Sequence, residues 1–261
     1  MTDDEPGVDG RMSAIELRAL RKAFDGVVAV DDIDLTVPRG SFFGLVGPNG
    51  AGKTTSLSIL TGLLAPDAGT ARILGVDVHS DPIPAKRSIG VLSDGAQMFD
   101  RLTGEQLVVH AGMLHGIPRA TARSRARDLF ELLELTSSAS KLVVDYSAGM
   151  RKKVAIAAAL VHAPRVLILD EPFESVDPVS AVNIRGILQD FVAGSGTVLV
   201  SSHSMDLVER MCDRVAVVAS GRILAVGTID EVRAGLTLEQ RFVDLVGGRT
   251  NTQGPAWLRQ S

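Results

Sequence analysis

Gly47-Pro-Asn-Gly-Ala-Gly-Lys-Thr-Thr55 matches the pattern G-x-x-x-x-G-K-[ST], with Gly47, Gly52, Lys53 and Thr54 at the defining positions. Its flanks suit that motif. Ser41-Phe-Phe-Gly-Leu-Val46 reads as a buried strand feeding a loop, and Ser56 to Leu60 continue as a helix. Glycines let the backbone curl close to an anion, so that several amide N–H groups and a helix N-terminus face it. A lysine at position 53 reaches β- and γ-phosphates, and a hydroxyl at position 54 ligates Mg²⁺. The alternative, a glycine-rich turn that binds nothing, leaves the coincidence of strand, spacing, lysine and hydroxyl unexplained. The chain is expected to bind a nucleotide.

Outward from this loop, the next acidic landmark is Val166-Leu-Ile-Leu-Asp-Glu171, a continuous apolar run that ends in two carboxylates. Such a run suits a strand buried on both faces of a parallel sheet. Ligands of open α/β sheets sit beyond the carboxyl ends of the strands, which puts Asp170 and Glu171 at the phosphate site. Asp170 suits Mg²⁺, and Glu171 suits the polarisation of an attacking water. Thr197-Val-Leu-Val200 is a further strand, and Ser201-Ser-His203 stands at its end, where a histidine contacts a γ-phosphate. His79, His110, His115 and His162 lack such placement and read as structural.

The remaining chain is organised by period and punctuation. Ala14 to Arg18 and Asp32 to Val37 alternate as half-buried antiparallel strands around a turn at Phe24-Asp-Gly26. Phe24 suits core packing, with stacking on a purine as the other reading. Thr70 to Leu74 and Ile89 to Leu92 read as strands, the second ending at Ser93-Asp-Gly-Ala-Gln97. A helical region follows to about 161, opened by a capping box at Thr103 to Gln106. Ala122, Ala126, Leu129, Phe130 and Leu133 share one helix face, while Arg119, Arg123, Arg125 and Arg127 form a solvated face or a docking surface. Tyr146-Ser-Ala-Gly-Met150 precedes an alanine-rich helix, with Ser147 as its N-cap. Asn183 to Val192 reads as a helix. Val215–Val218 and Arg222–Val226 read as a hairpin about Ser220-Gly221, and Thr228–Glu231 and Thr237–Gln240 are further capping boxes.

Composition narrows the function classes. A net charge of −4 argues against a general nucleic-acid binder, and the single Cys212 excludes an internal disulfide or a thiolate cluster. The polar, acidic start Met1 to Pro6 is unlike a signal peptide, and no apolar run reaches transmembrane length.

Together, the loop at Gly47–Thr55, Tyr146-Ser-Ala-Gly-Met150, Leu169-Asp-Glu171, Val176-Asp177 and His203 resemble the ATP-binding subunit of an ABC transporter over about residues 15–245. Details such as Tyr-Ser-x-Gly-Met and the tail at Thr237 are similar to the exporter branch, whose membrane domain is a separate chain. The resemblance implies an α/β P-loop ATPase cassette with an antiparallel β subdomain and an inserted helical subdomain. It implies ATP and Mg²⁺ as cofactors. It implies a membrane-spanning permease as partner, with a second ATP-binding subunit (a homodimer) and no nucleic acid. The expected location is the cytoplasmic face of the cell membrane, peripheral through the permease. The expected division is a disordered start at 1–12, the ATP-binding domain at 13–235 with its helical subdomain at about 95–161, and a C-terminal extension with a mobile tail at 236–261.

Carried over position by position, the resemblance places Phe24 on adenine and Gly47, Pro48, Asn49, Gly50, Ala51, Gly52, Lys53, Thr54 and Thr55 around the phosphates. Thr54 and Asp170 would hold the metal, Glu171 would be the catalytic base, and His203 and Lys53 would serve the γ-phosphate. Ser147, Ala148, Gly149 and Met150 would cap ATP held by a second subunit, and Asp177 would link the two sites. The family's usual metal-sensing glutamine corresponds to Asp94, or to Gln97 if the loop is longer. Tyr146, Ala148 and Met150 depart from the commoner residues of the signature, while Ser147 and Gly149 are intact. A soluble ATPase of the same type acting on a cytosolic assembly such as the ribosome is the alternative; one P-loop and no heptad run count against it.

Overall fold

The structure is a computed structural model that describes residues 13–95 and 99–247. Elements follow in chain order. They are β1 (Ser13–Phe24), β2 (Val27–Pro38), β3 (Phe42–Val46), α1 (Lys53–Leu60), β4 (Ala68–Ile73), β5 (Val76–Asp77), α2 (Pro82–Arg87) and β6 (Ile89–Leu92). Next come α3 (Gly104–Leu114), α4 (Arg119–Leu132), α5 (Ala148–Leu160), β7 (Val166–Asp170), α6 (Pro178–Ala193), β8 (Thr197–Ser202) and α7 (Met205–Met211). The hairpin β9 (Arg214–Ala219) and β10 (Arg222–Thr228), then α8 (Ile229–Arg233) and α9 (Leu238–Leu245), complete the described chain. The start at 1–12, Gln97 and the tail from 248 lie outside the described residues.

Two sheets result. The alternating strands β1 and β2 pair antiparallel and extend to the order β2-β1-β4-β5. The apolar runs form a second sheet in the order β10-β9-β3-β8-β7-β6, parallel except for the edge strand β10. Every residue of β3 and β7 is buried, because each has a parallel neighbour on both sides and layers above and below. Phe43, Ile168 and Leu199 face the antiparallel sheet, while Leu167, Leu169 and Val200 face the helices. Each such side chain contributes about 1.5–3 kcal/mol through burial.

Register decides where the polar residues end up. Val46 lies opposite Ser202, Asp170 opposite Ser201, and Leu169 opposite Leu92. The ends of β3, β6, β7 and β8 are thereby level at one edge, and the chain leaves that edge at Gly47, Ser93, Glu171 and His203. Helices α3, α4 and α5 occupy the connection between β6 and β7. The three expected capping boxes form, at Thr103 with Gln106, Thr228 with Glu231, and Thr237 with Gln240.

Two local expectations change. Arg125 does not join a solvated face; it is half-buried and donates to Val161 O at 3.0 Å, satisfying a carbonyl at the end of α5. Arg123 pairs with Glu105 at 2.9 Å. Phe24 does not enter the core; at 45% exposure it stands at the tip of the β1–β2 hairpin.

Candidate functional site

The P-loop curls because its glycines are pressed between neighbouring backbones. A Cβ at Gly47 would lie 2.1 Å from Val218 O, and one at Gly52 would lie 2.4 Å from Ala29 O. Gly52 also has φ 102°, a conformation that glycine adopts without a steric cost, and it starts α1. The β9–β10 turn supports the loop from behind, where Gly221 donates to Ala51 O at 2.9 Å and accepts from Asp31 N at 2.9 Å. Lys53 is buried and donates to Gly47 O at 2.7 Å and Pro48 O at 3.2 Å. Its ammonium thus stays within the loop it serves.

Glu171 follows β7 in a left-handed conformation, φ 46°, which few non-glycine residues adopt. Neighbours hold it there. Its N–H donates to Ser201 Oγ at 3.0 Å, and its carbonyl accepts from Lys152 Nζ at 2.8 Å and from Glu174 N at 3.2 Å. The carboxylate is placed between Lys53 and His203, with Oε1 3.7 Å from Lys53 Nζ and Oε2 3.1 Å from His203 Nδ1. Oε1 has no hydrogen-bond partner, an orphaned acceptor at the wall of the cleft. Behind it Asp170, 3% exposed, accepts a short hydrogen bond from the Ser201 hydroxyl. One serine therefore orders both acids.

Lys53, Glu171 and His203 border a cleft of about 430 Å³, which Asp170 and Ser201 back without lining it. It brings together Phe24, Asn49, Gly50, Ala51, Gly52, Lys53, Thr54, Thr55, Asp94, Glu171 and His203 from the expected set, and adds Ala29 and Glu174. Phe24 sits at its outer rim, with Lys22 Nζ 5.7 Å from the ring centroid. Asp94 also faces Lys152, with Oδ1 3.7 Å from Nζ. Ser201, Glu174 and Lys152 were not singled out by the sequence reading. The first two stand next to His203 and between Glu171 and Asp177, but nothing in the local sequence tells which hydroxyl or carboxylate turns inward.

The segment Ser147 to Met150 does not line this cleft. Ser147 caps α5, its hydroxyl accepting from Met150 N at 3.3 Å, and is exposed. Asp177 caps α6 by accepting from Val179 N and Ser180 N; the Ser180 bond, first among these, holds its carboxyl below the usual range. Asp177 lies close to the buried Gly149, where a Cβ would lie 3.4 Å from Asp177 Oδ2. The four other histidines stay outside the cleft. His79 Nε2 lies 3.1 Å from Ile59 O and His162 Nε2 lies 2.8 Å from Ile89 O; His162 stacks on His115, and His110 meets the edge of Phe99.

The donor set bears on a metal. Among the described residues no three of His, Cys, Asp or Glu converge into a cage. Thr54, Asp94 and Asp170 offer separate hard oxygen donors, which fits Mg²⁺, an ion that keeps waters and shares substrate phosphates.

The family profile described as "ABC transporter" matches residues 30–174. The chain is 41% identical over 223 residues to the daunorubicin/doxorubicin resistance ATP-binding protein DrrA of Streptomyces peucetius, covering 85% of this chain and 68% of that protein. It is 32% identical over 214 residues to the linearmycin resistance ATP-binding protein LnrL of Bacillus subtilis, covering 82% and 69%. A solved structure described as the ATP binding subunit of an ABC transporter superposes with a TM-score of 0.84 at 28% identity, covering 90% of this chain and all of that one.

Proposed function

The chain belongs to the ABC transporter family as an ATP-binding subunit with ATPase activity, and on that premise we propose that two copies pair head to tail and drive export through a separate membrane-spanning permease. Among the described residues no helix is long and apolar enough to cross a membrane, which accords with a peripheral place on the permease at the cytoplasmic face. Export is favoured because the similar proteins are named for drug resistance. The working unit in this proposal is 13–235, its helical part at about 95–161, with 236–261 as an extension.

The observation that carries the mechanism is the orphaned Glu171 Oε1, held at the cleft between Lys53 and His203. ATP would enter with its base on Phe24 and its phosphates on the amides of Gly47–Thr55. Lys53 would turn from Gly47 O to the phosphates. Glu171 would accept a proton from the attacking water, while His203 would hold the other carboxylate oxygen and approach the γ-phosphate. Mg²⁺, held by Thr54 and Asp170 with Asp94 near, would offset charge on the phosphate oxygens. Ser147, Ala148, Gly149 and Met150 would cap the ATP of the second copy through the N-terminus of α5, and Asp177 beside Gly149 would link the two sites.

The test is Glu171→Gln. Turnover should fall by about 10²–10⁴-fold with ATP binding retained, and an ATP-dependent dimer should accumulate. Wild-type turnover would remove Glu171 from the mechanism. Affinity capture of the same variant from detergent-solubilised membranes should recover a polytopic membrane protein; recovery of ribosomal partners alone would overturn the transport reading.

A further inference from the structure

Lys152 lies on α5, five positions beyond the cap Ser147. Its side chain is mostly buried, 18% exposed, and it reaches two groups, one after β6 and one after β7. The ammonium donates to Glu171 O at 2.8 Å and stands 3.7 Å from Asp94 Oδ1. Neither contact is needed by α5 itself. Both meet residues of the ATP cleft, which Lys152 does not line.

Each contact answers a physical difficulty. Glu171 is in the left-handed region, so its carboxylate stays aimed only while the backbone on both sides is held. Ser201 holds the N–H side and Lys152 holds the carbonyl side with a charge-assisted bond. Asp94, a carboxylate at the rim of a phosphate site, would repel the anion unless a cation offsets it. Among the described residues Lys152 is the cation that pairs with it. α5 is seated closely on β6 at the start of the strand, where a Cβ at Gly90 would lie 2.1 Å from Ala159 O. The helix therefore lies directly on the strand that delivers Asp94.

We propose that Lys152 is a positioning residue for hydrolysis, which fastens the Glu171 turn and neutralises Asp94 from the helix whose other end carries Ser147. The inference rests on Glu171 acting as the base. In the proposed dimer it gives one helix two duties, with its N-terminus on the neighbour's ATP and Lys152 on its own chain's carboxylate turn. Displacement of α5 when the copies part would loosen Glu171 O.

The experiment compares steady-state ATPase kinetics and equilibrium binding of a fluorescent ATP analogue for the wild type, Lys152→Met, Lys152→Arg, Asp94→Asn, and Lys152→Met with Asp94→Asn. Lys152→Met keeps the apolar stem and should lower kcat by about tenfold with KM changed by less than about threefold. Lys152→Arg, which retains charge and donors, should restore most of the rate. Lys152→Met should cost less in the Asp94→Asn background than in the wild type, because there is no carboxylate left uncompensated, so the two substitutions will not multiply. A wild-type kcat for Lys152→Met, a Lys152→Arg as slow as Lys152→Met, or strict multiplicativity would each overturn the proposal. Glu171→Gln separates the two claims. If it still turns over, the base assignment falls; if it is inactive while Lys152→Met is fully active, only the role of Lys152 falls.

Discussion

Replacing Ser201 by alanine should damage both the fold and the hydrolytic centre, because one hydroxyl serves two buried groups. Ser201 is fully buried (0% exposed), donates to the Asp170 carboxylate, and accepts from Glu171 N–H at 3.0 Å. Loss of the first bond costs about 0.5–1.5 kcal/mol, and loss of the second leaves a buried N–H unpaired, about 1–3 kcal/mol. Relaxation of the end of β7 recovers part of this, so a net loss of about 3 kcal/mol is expected. For a chain of this length that lowers Tm by about 8 °C. The catalytic effect follows from geometry. With its N–H released, the left-handed Glu171 keeps only the two bonds to its carbonyl, from Lys152 Nζ and Glu174 N, and a shift of about 1 Å costs on the order of 10²-fold in rate. The assay pairs thermal unfolding with ATPase kinetics at a temperature well below both midpoints. A lower Tm together with a kcat reduced by about 30- to 100-fold, at nearly constant KM, is the expected result. Wild-type Tm and kcat would refute the hydrogen-bond reasoning altogether. A lower Tm with wild-type kcat would show that the hydroxyl serves only the fold.

Two further outcomes test the surroundings. Tyr146 donates its hydroxyl to Ser138 O at 2.7 Å and fills the space above Gly104, so Tyr146→Phe should cost about 0.5–1.5 kcal/mol by removing a buried hydrogen bond, the carbonyl keeping its bond from Lys141 N at 3.0 Å; urea unfolding at unchanged m-value measures it, and an unchanged midpoint would show that the hydroxyl is not needed. Burial lowers the His162 pKa to about 4, below the unfolded value near 6.5, so the unfolded chain binds the extra proton between those values. The stabilisation is complete above about pH 6.5 and is lost as pH falls towards 4; with screening at a half-buried ring it amounts to roughly 1–2 kcal/mol. Tm measured at pH 7.5 and 5.0 should drop less for His162→Gln than for the wild type, and equal drops would refute the assignment.

The relatives' names place transport ahead of the cytosolic-assembly alternative. Much of the site was legible because its determinants are adjacent in sequence. The P-loop needs Gly47, Gly52, Lys53 and Thr54 within one turn, and capping at Thr103, Thr228 and Thr237 spans four residues each. Apolar runs ending in polar residues announced the parallel strands and the edge at which Asp170, Glu171 and His203 meet. The same local reading could not settle Phe24, since a single aromatic in a turn carries no sign of whether its ring is covered. It could not distinguish Arg125 from its exposed neighbours either, because the carbonyl that captures it belongs to another helix.

The sequence by itself determined the chemistry of this protein: a phosphate loop, two carboxylates after a buried strand, a histidine after another, and a signature segment, each read from contiguous residues. Tertiary structure alone decided how that chemistry is held. Ser201 reaches across 31 positions to Asp170, Gly221 supports Ala51, and Lys152 joins Glu171 and Asp94. These contacts arise from strand register and from the packing of α5 on β6, which sum over the whole core and leave no mark in any short stretch of chain.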